Sequence, residues 1–393
     1  MLCSRAVAPK KLAEKDGAKM EVLPSQNDKP STVFIFGAGA SYADGVPLQA
    51  DILPQIIRDT DPQLKQSDTA RRLRNFLTEY FAHGEQAPSL EEVFGFIEFF
   101  IKNDLSLSRQ WGVKELLELK ADFTKVVHYV ISKNTKESQI FKEFWRKIRD
   151  IDPEIGVITT NYDTLADEAF DSIYPECLID YCLDFINFRH PEAGIPFDWW
   201  IDPKKPTDIF KYEKLTRIKL IKLHGSLNWK YCSCCGQIAL TPWQHEYNLK
   251  LDSFKSFMDT QVTECPFDGN RLSSLLQMPT HIKTNHNFVF SKLYDEASYI
   301  VGNAKKIVFI GYSFPEADVH IRALVRRCFS EDGKIIVINK SRAKDLKHRY
   351  EGLARNVDYY EYTFERFVKS RIFDELLAAN KTQQGLGRFA SLP

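Results

Sequence analysis

Four stretches of the chain are short, apolar and rich in β-branched residues: Thr32 to Phe36, Gly156 to Thr160, Ile307 to Ile310 and Ile335 to Ile338. Runs of this length, bounded by small or polar residues, predict strands buried on both faces, as in a parallel sheet. A fifth run, Ile218 to Leu223, has its Ile and Leu residues interrupted by lysines, which predicts a strand covered on one face only. A further strand is predicted near Val357 to Tyr362. The first five are each followed at once by a small or polar cluster: GAGAS, NYD, GYS, NK and HGS. Ligands of open α/β sheets bind outside the carboxyl ends of the strands, so five clusters in that position predict one site.

The period changes between the first two runs. About 120 residues separate them, far more than one crossover helix requires. Leu73, Phe76, Leu77, Tyr80 and Phe81 share one helical face, and Leu90, Val93, Phe94, Ile97 and Ile101 share another. Ser89-Leu90-Glu91-Glu92 opens the second with a capping-box pattern. Residues 51–150 therefore read as a helical insertion whose aromatic stripes are core. A second insertion, about Asp167 to Arg217, carries five prolines and no long helix is expected there. A third, Trp229 to about His286, holds a cysteine group. The fold class is thus α/β, with the parallel sheet built from residues 31–50 and 151–380 and a smaller, irregular, cysteine-containing module at 229–286. Residues 1–30 are expected to be a flexible arm, and 383–393 a polar tail.

Charge narrows the function. Lys plus Arg and Asp plus Glu both number 53, so the formal charge is zero. Proteins that neutralise many phosphates show a basic excess or stripe, and neither is found, so direct nucleic-acid binding is not expected. No stretch approaches the ~20 apolar residues of a membrane span. The eight cysteines are scattered except for one group, a pattern that suits a reducing compartment and predicts a cytoplasmic protein.

The clusters after the strands carry chemistry. In Gly37-Ala38-Gly39-Ala40-Ser41, glycines at a strand end permit a tight turn and close approach of the backbone to a phosphate. Tyr42 stands where a dehydrogenase fingerprint has its third glycine, and Gly45-Val46-Pro47 is expected to end the helix early. Tyr42 and Asp44 are expected to form a lid. In Thr160-Asn161-Tyr162-Asp163, an amide beside a carboxylate holds a ribose, a water or a carboxamide, or caps a helix. His224, in Lys222-Leu223-His224-Gly225-Ser226, is placed to exchange a proton near neutral pH. The other eight histidines read as ordinary surface or core residues.

In this order, G-A-G-A-S-x-x-x-G-V-P, T-N-Y-D, L-H-G-S, G-Y-S and I-N resemble the nicotinamide-dinucleotide site of the sirtuin family, whose pieces are G-A-G-x-S-x-x-x-G-I-P, Q-N-x-D, H-G, G-x-S and I-N. The resemblance implies a Rossmann-like domain that binds NAD+ at Gly37, Ala38, Gly39, Ser41, Asn161, Asp163, Gly311, Ser313 and Asn339, with catalytic roles for Asn161 and His224. Asp163, a carboxylate beside them, is expected to join the catalytic group by stabilising positive charge on the ribose. Sirtuin deacylases continue with an acidic-Phe-Arg segment. Here Pro47 is followed by Leu48-Gln49-Ala50-Asp51-Ile52, without the Phe or the Arg. That departure and the helical insertion resemble the bacterial sirtuin-like proteins of antiphage defence, which hydrolyse NAD+ to halt an infected cell and often work as assemblies. What this resemblance implies is an NAD+ glycohydrolase, a homo-oligomer, and as a separate partner a HerA-type ATPase. Deacylases also carry structural zinc in two C-x-x-C pairs. Cys232 and Cys235 supply one pair, but the second is reduced to Cys265-Pro266-Phe267-Asp268, so a zinc site of Cys232, Cys235 and Cys265 would need Asp268, Cys234 or a histidine such as His245 to complete it, and a metal-free remnant is the alternative. An NAD+-dependent protein deacylase and a non-enzymatic sensor of NAD+ or ADP-ribose stand as alternatives.

Overall fold

A computed structural model describes residues 31–58, 60–81, 88–133, 135–149, 155–174, 177–186, 199–200, 217–240, 247–249, 253–254, 264–265, 267–279, 288–341 and 343–378. The expected arm at 1–30 and tail at 383–393 lie outside the described residues, as does His245.

The chain opens with β1 (Thr32–Phe36), all five residues of which are buried, followed by a single helical turn, α1 (Ala38–Ser41). Helices α2 (Gln49–Arg58), α3 (Pro62–Gln66), α4 (Asp68–Phe81), α5 (Leu90–Lys102), α6 (Val113–Ser132) and α7 (Gln139–Arg149) come next. Then follow β2 (Ile155–Thr159), α8 (Leu165–Ile173), β3 (Leu178–Asp180), β4 (Phe185–Ile186), β5 (Trp199–Trp200), β6 (Arg217–Lys222), β7 (Gly225–Tyr231) and β8 (Ile238–Leu240). Two short strands, β9 (Tyr247–Asn248) and β10 (Ser253–Phe254), pair with each other. The rest is β11 (Ser273–Leu276), α9 (Phe288–Asn303), β12 (Lys306–Ile310), α10 (Val319–Cys328), β13 (Lys334–Ile338), α11 (Lys344–Glu351), β14 (Asn356–Tyr360) and α12 (Phe364–Val368).

Seven strands form one sheet in the order β14-β13-β12-β1-β2-β6-β3, and every neighbouring pair is parallel. All six expected strands are present, with ends displaced by no more than two residues. The edge strand β3 was not anticipated: three residues carry no readable period. The chain leaves β1 toward β2 on one side and returns through β12 on the other, which makes the β1/β12 junction the switch point where such sheets bind ligands. A second sheet, β11-β7-β8-β4-β5, carries the cysteine group at its turns.

The expected faces are the buried ones. Leu73, Phe76 and Leu77 on α4, and Leu90, Val93, Phe94 and Ile97 on α5, are all buried, and the Ser89 hydroxyl accepts the Glu92 N–H at 3.1 Å. Helix α7 covers β1 with aromatics. Phe34 meets Phe144 edge-on at 5.1 Å, and Phe36 meets Phe141 at 5.1 Å and Phe364 at 5.3 Å. Each ring buried in this way contributes about 1.5–3 kcal/mol, which fixes the central strand whose end carries the first glycine cluster. Helix α7 is in turn clasped to α8, where Trp145 Nε1 donates to the Ala166 carbonyl at 2.9 Å.

The lysines of β6 require a correction. Lys219 is partly covered and pairs with Glu296 at 3.0 Å, but Lys222 is fully buried, so the interrupting lysines do not mark a solvent-facing side. A buried ammonium persists only where its charge and its N–H groups are met, and Lys222 has a carboxylate and a carbonyl within reach.

Candidate functional site

The loops after β1 and β12 are locked together. Gly37 N–H donates to the Ile310 carbonyl at 3.0 Å and Gly39 N–H to the Gly311 carbonyl at 2.9 Å. A Cβ on Gly39 would sit 2.8 Å from the Gly311 oxygen, and one on Gly311, whose φ is +62°, would sit 2.3 Å from Ala40 N. These glycines therefore serve close loop packing, and the amides of Gly37 and Gly39 are already paired within the protein. The helix after them is one turn long. It runs into a 3-10 turn, Tyr42–Asp44, that Gly45 ends at φ +92°, as the Gly-Val-Pro sequence predicts. The Asp44 carbonyl accepts Lys136 N–H at 2.9 Å, which ties the turn to the segment before α7. Burial raises the Asp44 carboxyl pKa, against a lowering hydrogen bond from Ser138.

Asn161 stands across β1 from that junction. Its Nδ2 donates to the Gly37 carbonyl and to Ser41 Oγ, both at 3.0 Å, while its own N–H is held by Thr159 Oγ1 at 3.0 Å. Two acceptors on one nitrogen set the orientation of the amide. Ser41 is fully buried and does not line the cavity; its hydroxyl supports Asn161 from beneath. Asp163 is buried, with Oδ1 accepting Leu165 N–H at 3.1 Å and Oδ2 without a hydrogen-bond partner among the described residues. Burial raises its pKa above the ordinary carboxylate range, while the Lys222 ammonium, the Leu165 N–H and Ser41 pull it down.

Lys222 organises this loop from below. Its Nζ donates to the Asp163 carbonyl at 2.6 Å and to Asp167 Oδ2 at 3.0 Å, and Tyr181 hydroxyl donates to Asp167 Oδ1 at 2.6 Å. Two residues on, His224 turns the chain toward β7. Gly225 follows at φ +79°, where a Cβ would lie 2.0 Å from the Leu275 carbonyl oxygen, so only glycine fits after the histidine. The His224 carbonyl accepts Gln277 N–H at 2.9 Å. Its Nε2 lies 3.2 Å from His320 Nε2 and 3.4 Å from Asp318 Oδ1. The expectation that the other histidines are all ordinary is therefore wrong for His320. Neither His320 nor Asp318 stood out in the sequence, because the start of α10 and the turn before it, which bring them, are far from His224 along the chain.

Ala38, Gly39, Asn161, Asp163, His224, Gly311, Ser313 and Asn339 all line one cavity of about 940 Å³ at the carboxyl ends of the strands. Its other wall comes from the helices between β1 and β2, including Ile52 and Leu53 of α2, Leu90 of α5 and Val127 and Ile131 of α6. Asn339 is fixed by donation from Nδ2 to the Tyr312 carbonyl at 3.0 Å. Phe314, fully buried, holds φ +52°, a left-handed conformation that costs a bulky residue about 1–3 kcal/mol. Arg349 secures its carbonyl at 2.8 Å.

The cysteine group forms two matching turns. Cys232-x-x-Cys235 is followed by Gly236 at φ +77°, and Cys265-x-x-Asp268 by Gly269 at φ +71°. In each, the glycine N–H returns to the first cysteine's carbonyl, at 3.0 and 2.8 Å. Asp268, rather than Cys234, stands with the three cysteines: Cys232 Sγ is 3.3 Å from Asp268 Oδ2, and Cys235 Sγ is 3.4 Å from Cys265 Sγ. The Asn270 N–H is the main influence holding the Asp268 carboxyl well below its usual range. Three sulfurs and one carboxylate at these separations suit a closed tetrahedral zinc site.

A family model described as a SIR2-like domain matches residues 156–360, more than half of the chain, and the chain belongs to that family. No curated protein sequence matches it. Among solved structures, a Sir2 homologue in complex with ADP-ribose is 14% identical, with TM-score 0.40, over 91% of this chain and 95% of the other. A Sir2 homolog–NAD complex is 14% identical, with TM-score 0.41, over 91% and 92%. A structure of Sir2 with a p53 peptide and NAD+ is 16% identical, with TM-score 0.38, over 88% and 92%. Family membership rests on the sequence match.

Proposed function

We propose that the protein is an NAD+ glycohydrolase that cleaves the bond between nicotinamide and ribose, releasing nicotinamide, ADP-ribose and a proton at the expense of one water. One observation carries this reading: Asn161, Asp163 and His224, from two separate strand ends, line a single cavity floored by the interlocked glycine loops. The nicotinamide ring leaves as a neutral base from a cationic substrate, so no acid is needed to expel it. Positive charge grows on the ribose as in glycoside cleavage. Asp163, with one carboxylate oxygen that has no hydrogen-bond partner among the described residues, stabilises that charge or orients the ring. Asn161, clamped by Gly37 and Ser41, positions the water or the carboxamide. His224 contacts a ribose hydroxyl and takes the proton of the attacking water, an effect typically worth ~10² to 10⁴-fold. Ala38, Gly39, Gly311, Ser313 and Asn339 hold the diphosphate and riboses, with Gly37 and Ser41 supporting that loop from beneath. The Leu48-Gln49-Ala50-Asp51-Ile52 stretch, in place of the acidic-Phe-Arg segment of deacylases, supports water as the nucleophile instead of an acyl oxygen.

The same reading assigns the chain to antiphage defence by NAD+ depletion, in the cytoplasm, as a homo-oligomer with a separate HerA-type ATPase as partner. Phe99 and Leu117 of α5 and α6, more than half and half exposed, support contacts made through the helical segment. Cys232, Cys235, Cys265 and Asp268 hold one structural zinc that fastens the second sheet and takes no part in the reaction.

The test is incubation of the purified protein with NAD+ and chromatographic separation of nicotinamide and ADP-ribose, with Asn161→Ala and His224→Ala beside the wild type. Free ADP-ribose without acyl peptide, lost in both variants, is expected. Turnover only when an acyl-lysine peptide is added would point to a deacylase instead, and binding without turnover in the presence of every partner would point to a sensor.

A further inference from the structure

His224, Asp318 and His320 meet at the edge of the cavity from two parts of the chain. The turn after β6 delivers His224, while the 3-10 turn Glu316–Asp318 and the start of α10 deliver the other two. The two Nε2 atoms are 3.2 Å apart, His224 Nε2 lies 3.4 Å from Asp318 Oδ1, and His320 Nε2 lies 4.0 Å from the same oxygen. A tetrahedral ion with bonds of 2.0–2.1 Å sets its ligand atoms about 3.3 Å apart. Two of the three separations are already near that value, and a sub-ångström shift brings in the third.

The donors also have the right chemistry. Two imidazoles and one carboxylate are the protein ligands of open zinc sites, whose fourth position takes water or substrate. Tyr312 hydroxyl donates to Asp318 Oδ2 at 2.8 Å and leaves Oδ1 toward the histidines, the kind of outer contact that orients a ligating carboxylate. The side chains of His224 and Asp318 are 7% and 5% exposed, and both residues line the cavity, so the open position faces it.

We propose that His224, Asp318 and His320 bind a divalent transition ion, with zinc the best fit, at a site separate from the cysteine cluster, and that the bound ion switches hydrolysis off. Coordination occupies the Nε2 lone pair of His224, which then cannot accept the proton of the attacking water. The switch rests on the hydrolase reading; the ion site does not.

The full-length chain, stripped with chelator, is dialysed against Co2+ and Zn2+. His320→Ala and Asp318→Asn are expected to bind one ion fewer than the wild type while keeping the thiolate-to-cobalt absorption of the cysteine cluster. His320 is 16% exposed at a helix start, so its truncation spares the core. In the wild type alone, the Nε2 resonances of His224 and His320 in 15N-histidine spectra shift on zinc addition. Equal ion counts in all three proteins, or ring resonances indifferent to zinc, would overturn the site. With NAD+ present, zinc suppresses the wild-type rate, chelator restores it, and the suppression is lost in His320→Ala. A rate that rises with zinc or ignores it overturns the switch. Absence of turnover in the stripped protein and with partners counts against the hydrolase reading and the switch with it, and the ion count still decides the site.

Discussion

Replacing Lys222 by Met tests whether the buried pair beneath the site holds its geometry. Methionine keeps most of the apolar length and removes the ammonium. Both Lys222 and Asp167 side chains are fully buried, 3.0 Å apart. After Lys222→Met, Asp167 retains the Tyr181 hydroxyl at 2.6 Å, and the Asp163 carbonyl loses a donor at 2.6 Å. Removing one partner of a buried pair typically costs about 3–5 kcal/mol, because the other charge stays buried without compensation. Against a total of about 5–15 kcal/mol for a folded domain, that is a large fraction. Replacing both partners by apolar groups is often close to neutral, so Lys222→Met/Asp167→Leu should recover much of the loss. The assay is denaturant unfolding followed by circular dichroism for the wild type, both single variants and the double. A loss below about 1 kcal/mol for Lys222→Met, or a double variant that loses the sum of the two singles, would refute the coupling. Since Lys222 grips the loop two residues from Asn161, the folded Lys222→Met protein is also expected to lose NAD+ turnover.

Other outcomes follow from the same geometry. His128 on α6 is buried, and burial, followed by the Lys230 charge, holds its pKa well below the ordinary value. The unfolded chain takes up that proton first, so stability is full above about pH 6.5 and falls as pH drops below it, by up to ~1.4 kcal/mol per unit for one proton. His128→Leu should flatten the melting temperature against pH in that window, and an unchanged slope would acquit this residue. Gly39→Ala, with its Cβ 2.8 Å from the Gly311 oxygen, should pry the β1 and β12 loops apart and lower NAD+ affinity at least ~10-fold by calorimetry, since misfit there exceeds ~1.4 kcal/mol. Gly95→Ala on α5, with no atom of the described residues within 4 Å of its Cβ, should instead raise stability by about 0.5–1 kcal/mol in the same unfolding assay. Cys265→Ser should abolish the thiolate-to-cobalt absorption and lower the melting temperature, and retention of that band would remove Cys265 from the zinc site.

Much of the sheet was legible because burial on both faces writes itself as an unbroken apolar run, as in TVFIF of β1 and KIIVI of β13. The glycine, Asn-Tyr-Asp and His-Gly clusters were legible for a related reason: a strand end that must turn sharply or cap a helix admits few residue types. The lysines of β6 misled, since charged residues in a strand usually face water, and nothing nearby in sequence announces Asp167 as the partner of Lys222. Asp268 was one of several candidate completions of the cysteine group, and among the described residues the geometry of the second turn brings it, and not Cys234, to the three cysteines.

The local pattern by itself determined the element types, the parallel central strands and the positions of the chemically active clusters, because each depends on neighbours within a few residues. Only the tertiary structure decided which groups meet. His224 and His320 are 96 residues apart in sequence and 3.2 Å apart in space. Their encounter depends on strand order, which places β6 and the loop after β12 on the same edge of the cavity. The second role of the glycines arises the same way: the gap between Gly39 and Gly311 exists only because β1 and β12 are neighbours. Periodicity records how a residue is buried, whereas pairing records against what, and that second quantity is a property of the assembled sheet.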